Sequence, residues 1–253
     1  VKSGCAVDVF TKSSSHKFER ISFVRFARIA PSPFRGRKII PGRLQQPARR
    51  KGNIKQKVKY TRMSYNKLKA LEGNIEAIST ALAIHEERRN ATTAERETLS
   101  KFTGCGGIKE VLSIGTDTPI PDTMLEAVKR LLSILSKAAK GNETLYRQLL
   151  QSLKSSVLTA FYTPTFLIQA VAKQIKDTFT ANDLKMGTFL EPSAGIGGFL
   201  PVGDMATHRT AFEKDLLTGL VLSALHPDTQ VFIEGFETID SQETEHNRFD
   251  VIA

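Results

Sequence analysis

Three short apolar runs in the last third of the chain each end in residues that could bind a nucleoside. The first ends in Glu191, which precedes a glycine turn containing Gly195 and Gly197. The second ends in Glu213, about twenty residues past that turn, where a carboxylate can accept hydrogen bonds from both hydroxyls of a ribose. The third is followed by Phe236, whose flat ring can stack on a purine. The order of these features, rather than any one of them, predicts a ligand that contains adenosine.

The glycine spacing bears on which adenosine ligand this would be. A dinucleotide fingerprint needs a third glycine where this chain has Leu200, so the pattern argues against NAD and favours S-adenosylmethionine. Glu234 and Glu237 flank the aromatic residue and could accept from an adenine amino group. His208 and His226 lie near this region, and the sequence assigns neither of them a role.

The elements that carry these residues alternate between strand and helix from residue 159 onward. Apolar runs predict strands at residues 188–190, 210–212, 230–233 and 249–252, with a short helical piece at 198–205 and a helix at 215–225. Such alternation predicts an α/β fold with a parallel sheet, whose ligands lie beyond the carboxyl ends of the strands.

Residues 63–158 are predicted to form an all-helical domain. Apolar residues recur at helical spacing from residue 64, Thr92 and Glu95 form a capping-box pattern, Asp122 is expected to cap a third helix that stops before Gly141, and a fourth begins near residue 143. Residues 102–108 are rich in glycine but lack the Lys-Ser/Thr of a phosphate-binding loop, so we interpret them as a structural turn.

Charge is distributed unevenly along the 253 residues. The net charge of +10 divides into +15 over residues 1–62 and −5 over the remainder. The basic segment mixes Pro, Gly and cationic residues and is predicted to be unstructured by itself. It is interpreted either as an arm that neutralises nucleic-acid phosphates or as non-native sequence translated ahead of a start at Met63. The net negative charge of residues 63–253 does not indicate that DNA is the substrate.

The two cysteines, Cys5 and Cys105, exclude a disulfide framework and a four-cysteine zinc site. No apolar stretch approaches the length of a membrane span, and no signal-peptide pattern is present at the N-terminus. These features predict a cytoplasmic protein without a membrane partner.

Two motifs resemble those of adenine-N6 DNA methyltransferases. Residues 189–200, Phe-Leu-Glu-Pro-Ser-Ala-Gly-Ile-Gly-Gly-Phe-Leu, resemble the cofactor-binding motif of that family, and Phe-Tyr-Thr-Pro at residues 161–164 resembles the motif that precedes it. Their order matches the gamma arrangement. The helical part and residues 212–220 are similar, more narrowly, to adenine-specific methylases of conjugative transposons and plasmids.

The resemblance implies a class I, Rossmann-like methyltransferase domain at residues 159–253, with S-adenosylmethionine as cofactor and double-stranded DNA as the partner of the full-length protein. Glu191 and the glycines would meet the methionine side, Glu213 the ribose and Phe236 the adenine. Gly235 stands where many relatives have an acidic residue. From the residues themselves, Thr163 is expected to cap a helix that Pro164 opens. The implied cofactor site comprises Tyr162, Thr163, Pro164, Glu191, Pro192, Ser193, Ala194, Gly195, Gly197, Glu213, Lys214 and Phe236.

The family's catalytic loop, Asn/Asp-Pro-Pro-aromatic, does not occur in the sequence, and its place would follow the strand that ends at residue 252. We therefore expect an N-terminal fragment that binds the cofactor weakly or not at all and does not methylate DNA. Two alternatives stay open: a non-catalytic DNA-binding or anti-restriction module of a mobile element, and methylation of RNA or of protein glutamine by a similar loop.

Overall fold

The structure is a computed structural model that describes residues 65–238 and 249–253, together with the backbone of residues 7–12 and 18–23. The chain divides into two compact units, one made of Val1–Val24 and Asn66–Ala253 and the other of Arg25–Tyr65. Tyr65 is the one residue of the second unit among those described, so all the helices and strands with described bounds belong to the first unit.

Two strands near the N-terminus depart from the prediction that residues 1–62 lack regular structure. β1 (Val7–Lys12) and β2 (Phe18–Phe23) pair antiparallel, with Val7 opposite Phe23. Both runs are rich in β-branched and aromatic residues, which favour strands, and the Pro-rich and Gly-rich stretch that suggested an unstructured arm comes after them. The rest of that prediction falls outside the described residues.

The predicted helical part contains four helices: α1 (Lys67–Glu87), α2 (Thr93–Leu99), α3 (Asp122–Ala139) and α4 (Glu143–Thr159). The capping box at Thr92 and Glu95 is confirmed, and residues 102–108 form turns. The prediction for Asp122 is wrong in detail, because α3 begins at that residue and Pro121 stands at the N-cap without a side-chain hydrogen bond. The ring of Pro121 has no acceptor for the first N–H groups of α3, and Asp122 instead places a negative charge in the first turn, where it interacts favourably with the helix dipole.

The α/β part follows the predicted alternation. α5 (Thr165–Ala181) leads into β3 (Thr188–Glu191), β4 (His208–Phe212), α6 (Leu216–Leu225), β5 (Gln230–Phe232) and β6 (Val251–Ile252). The four strands are all parallel, in the order β5-β4-β3-β6. The prediction of an α/β chain with a parallel sheet is therefore confirmed.

β6 is attached to β3 by a side chain as well as by strand pairing. Asp250 accepts hydrogen bonds from the backbone N–H groups of Gly187 and Thr188, each at 2.8 Å. These contacts hold the start of β3, at the end of the sheet opposite to the carboxyl ends of the strands. Asp250 is thus a structural residue of the sheet.

The helical and α/β parts share one hydrophobic core. Leu217, Leu220 and Val221 of α6 are buried in the same cluster as the apolar residues of α1 to α4. In addition, Ser152 of α4 accepts a hydrogen bond at 2.8 Å from the backbone N–H of Leu217, at the start of α6. The predicted boundary between a helical domain and an α/β domain near residue 159 therefore does not separate two hydrophobic cores.

A second cluster covers the sheet. Phe189, Leu200, Ala211, Leu222 and Val251 pack there with α5 residues. Among the described residues, no helix has the length and apolar character needed to cross a membrane.

Candidate functional site

A cleft of about 490 Å³ lies at the carboxyl ends of β3, β4 and β5. One wall is the connection between α4 and α5, which we call the wall segment (residues 159–163), and the floor is the turn after β3. The position is the one expected for a ligand site in a parallel sheet with helices on its faces.

Most residues of the predicted site come together in this cleft. Pro164 and Gly197 do not line it, and the remaining ten do: Tyr162, Thr163, Glu191, Pro192, Ser193, Ala194, Gly195, Glu213, Lys214 and Phe236.

Glu213 holds the turn after β3 to the start of α6. Its Oε2 accepts from the N–H of Gly195 at 2.7 Å, and its Oε1 accepts from the N–H of Asp215 at 2.8 Å. Burial raises the pKa of this carboxyl, and the hydrogen bonds from the backbone oppose that rise. Each carboxylate oxygen keeps a lone pair for a ligand hydroxyl, since a carboxylate offers about four acceptor sites.

Glu191 is the most deeply buried ionisable residue of the cleft, with 3% of its surface exposed. Its Oε1 accepts from the N–H of Phe199 at 2.9 Å, whereas its Oε2 is buried without a hydrogen-bond partner. Burial, with a smaller contribution from Glu213, raises the pKa of Glu191 to about 8. An unpaired buried carboxyl oxygen is costly, so a ligand group that supplies a hydrogen bond or a positive charge there would be bound favourably.

The two glycines of the turn are required by neighbouring side chains. A Cβ at Gly195 would lie 2.7 Å from the ring of Tyr162, and one at Gly197 would lie 2.7 Å from the imidazole of His226. Both glycines also have positive φ angles, 57° and 84°. Because these two residues have no side chain, the ring of Tyr162 can pack against the backbone of Gly195, and the imidazole of His226 can pack against the backbone of Gly197.

His226 supports the turn from below and was not assigned a role from the sequence. Its Nε2 donates to the carbonyl oxygen of Ile196 at 3.1 Å, and burial lowers the pKa of its imidazole. The local sequence does not predict this role, because the hydrogen bond forms only when the end of α6 packs against the turn after β3.

The wall segment differs from the sequence prediction at the start of α5. The helix begins at Thr165, and Pro164 stands at the N-cap with no side-chain cap. Thr163 lies in the cleft lining and does not cap the helix, because the proline itself takes the position that precedes the first helical residue. Tyr162 packs over Gly195, and burial near Glu213 and Asp215 raises the pKa of its phenol above the ordinary value.

The far side of the cleft combines an aromatic ring with an ion pair. Phe236 lies edge-on to Phe212, with ring centroids 5.6 Å apart. At the rim, Lys214 Nζ lies 2.6 Å from Glu237 Oε1, and this contact lowers the pKa of Glu237. Glu237 is therefore paired with Lys214. Of the two glutamates that could accept from an adenine amino group, Glu234 is the one without an ion pair among the described residues.

The charged residues of the lining are predominantly acidic. Four glutamates line the cleft: Glu191, Glu213, Glu234 and Glu237. The single lysine of the lining, Lys214, is paired with Glu237. Such a lining repels phosphate groups and attracts a ligand with positive charge and hydrogen-bond donors. Ile168 and Thr218 also line the cleft and were not identified from the sequence, because no local motif marks them. Among the described residues, no three His, Cys, Asp or Glu side chains are grouped to hold a metal ion.

Comparison of the chain with known protein families, with curated proteins and with solved structures finds no match.

Proposed function

We propose that this chain carries the cofactor cleft of an S-adenosylmethionine-dependent methyltransferase that acts on the N6 amino group of adenine in DNA. The observation that carries the proposal is the cleft at the strand ends, which the buried Glu191 and the half-buried Glu213 line together with the aromatic ring of Phe236. S-adenosylmethionine has a positive sulfonium, an ammonium group, a carboxylate, a ribose and a purine; its net charge is positive, and it has no phosphate.

The residues of the cleft fit the separate parts of this cofactor. The unpaired Oε2 of Glu191 suits the ammonium group, the free lone pairs of Glu213 suit the ribose hydroxyls, and Phe236 offers an apolar ring to the adenine. When bound, the cofactor supplies the methyl group. The protein residues bind and orient it. Glu213 and Glu191 match its positive charge, and Glu191, which holds a proton in the empty cleft near neutral pH, would lose that proton when the cation binds.

The strand order also supports the proposal. Counted from β3, the order in the sheet is third, second, first, fourth, which is the beginning of the order in doubly wound, Rossmann-like folds. In such a sheet the crevice beyond the carboxyl ends of the strands is the ordinary place for an adenosine ligand. A class I methyltransferase domain is the form of this fold that we propose.

The resemblance of the two motifs, and their order, supports three further parts of the proposal. These are that the substrate is adenine in DNA, that the enzyme belongs to a mobile element and that it acts in the cytoplasm. The gamma arrangement requires the wall segment to precede the glycine turn along the chain and to meet it in space. The closeness of Tyr162 to Gly195 supports this arrangement.

The proposal is tested by titrating the full chain with S-adenosylmethionine up to millimolar concentration and following amide chemical shifts. We expect weak saturable binding with shifts at residues 191–199 and 213–218. Replacing Phe236 by Leu keeps apolar packing but removes the aromatic face, and we expect it to weaken binding about fivefold to tenfold.

The matched control is Phe166→Leu, which alters an exposed phenylalanine that does not line the cleft, and we expect the same affinity as for the original chain. Absence of shifts in the cleft, or equal affinities for the Phe236→Leu variant and the original chain, would contradict the proposal.

A further inference from the structure

The glycine-rich residues 102–108, which we call the glycine loop, belong to the helical part of the chain. We propose that the glycine loop is a positioning element for the cleft: it holds Ala160 in place, so that Tyr162 bears on Gly195 and Glu213 keeps its orientation. The consequence for cofactor binding rests on the proposed function, whereas the positioning of the cleft does not.

The glycine loop is itself held by two helices. Asn74 of α1 is completely buried; its side-chain N–H donates to the carbonyl oxygen of Gly104 at 2.6 Å, and its Oδ1 accepts from the N–H of Thr103 at 2.8 Å. The N–H of Cys105 donates to Ser156 Oγ of α4 at 3.2 Å. A buried amide that pairs with two backbone groups holds the loop against α1.

The backbone of the glycine loop packs directly against the wall segment. A Cβ at Gly106 would lie 2.3 Å from the carbonyl oxygen of Ala160, and a Cβ at Gly104 would lie 2.3 Å from the Cβ of Ala160. The same atom at Gly104 would lie 3.3 Å from the hydroxyl oxygen of Tyr162. Glycine at these two positions is therefore what allows the loop backbone to touch the wall segment.

The contact continues from the wall segment into the floor of the cleft. Ring carbons of Tyr162 occupy the space beside Gly195, and the N–H of Gly195 donates to Glu213. A shift of Ala160 away from the loop would therefore move the tyrosine ring, free the turn at Gly195 and remove one of the two backbone bonds that orient Glu213.

The test uses the full chain with Gly104→Ala, alone and together with Ala160→Gly. Hydrogen–deuterium exchange is followed in peptides that cover residues 159–163 and 193–198. We expect Gly104→Ala to accelerate exchange several-fold in both peptides. The double variant removes the Cβ that the new methyl group would strike, and we expect it to bring exchange back toward the original rate.

Gly141→Ala is the matched control. Gly141 has a comparable positive φ angle of 80°, but a Cβ there would meet nothing within 4 Å, so this variant carries the backbone strain without the collision. We expect exchange in both peptides to stay at the original rate. If Gly104→Ala prevents folding, recovery of a cooperative urea transition in the double variant supports the inference.

Equal behaviour of the single and the double variant, folded or unfolded, would overturn the inference, as would unchanged exchange at residues 193–198 in Gly104→Ala. The same samples are titrated with S-adenosylmethionine. Rescued exchange combined with no binding by the original chain would refute the proposed function and leave the positioning role of the glycine loop intact.

Discussion

The buried carboxyl of Glu191 makes a specific prediction about pH. Its pKa is raised to about 8 in the folded chain, from an ordinary value of 4.5, so the folded state holds a proton that the unfolded state loses. The contribution of this residue to stability should therefore fall as the pH rises from about 4.5 to about 8, and should stay constant above that range.

We expect Glu191→Gln, which cannot ionise, to gain stability relative to the original chain between pH 5 and pH 9, by an amount on the order of a few kcal/mol. The measurement is the difference in the free energy of unfolding by urea at pH 5, 7 and 9. In the control Glu237→Gln the altered residue is exposed and its pKa is lowered, so the difference should not change over this range. A constant difference for Glu191→Gln would show that the carboxyl is ionised in the empty cleft.

The turn after β3 yields a second prediction at the scale of a residue. Gly197→Ala should destabilise the chain by about 2–4 kcal/mol, because the methyl group meets both His226 and Leu200 at 2.7 Å in a backbone of positive φ.

Gly141→Ala, where the φ angle is also positive but the space is open, should cost only about 1 kcal/mol. Both values come from urea unfolding at pH 7. Equal losses in the two variants would mean that strain of the backbone alone, without the contact with His226, explains the glycine.

At the scale of the elements, α6 depends on α4 for its first turn. The N–H of Leu217 belongs to the groups at a helix start that lack a partner within the helix, and Ser152 Oγ satisfies it. We expect Ser152→Ala to lower the free energy of unfolding by about 1–3 kcal/mol, since a buried N–H is left without an acceptor.

The control for this variant is Ser155→Ala on the same helix. The hydroxyl of Ser155 accepts from the exposed side chain of Gln151, so its loss should have an effect within about 0.5 kcal/mol. Similar effects of the two substitutions would indicate that the N–H of Leu217 finds another acceptor.

At the scale of the whole molecule, the shared core predicts that the helical and α/β parts unfold together. The chain has no tryptophan, so single reporters can be placed as Tyr146→Trp in α4 and Phe199→Trp after β3. Because α6 contributes to the core of the helical part, we expect the two fluorescence transitions in urea to have the same midpoint as the transition in circular dichroism. Separate midpoints would show that the parts are independently stable.

The helices and strands from α1 to β6 could be predicted from sequence patterns. Apolar spacing and caps located α1 to α4, and the alternation of short apolar runs with helices predicted β3 to β6 and their parallel pairing, because these patterns express which face of each element is buried. The same reasoning located Glu191, Glu213 and Phe236, since strand ends in a parallel sheet meet along one edge. Tyr162 and Thr163, by contrast, were indicated only by the resemblance of the motif at residues 161–164. The prediction of helix caps was wrong at Asp122 and Thr163, where a neighbouring proline decides the helix start.

The construction of the cleft, by contrast, depends on tertiary contacts. The contact of the glycine loop with Ala160, the support of the turn by His226 and the capping of α6 by Ser152 join residues 30 to 65 positions apart. No periodic pattern encodes such contacts, because each depends on the docking of whole elements against one another. The acidic character of the cleft also emerges only there: glutamates that are dispersed along the chain come to line a single space.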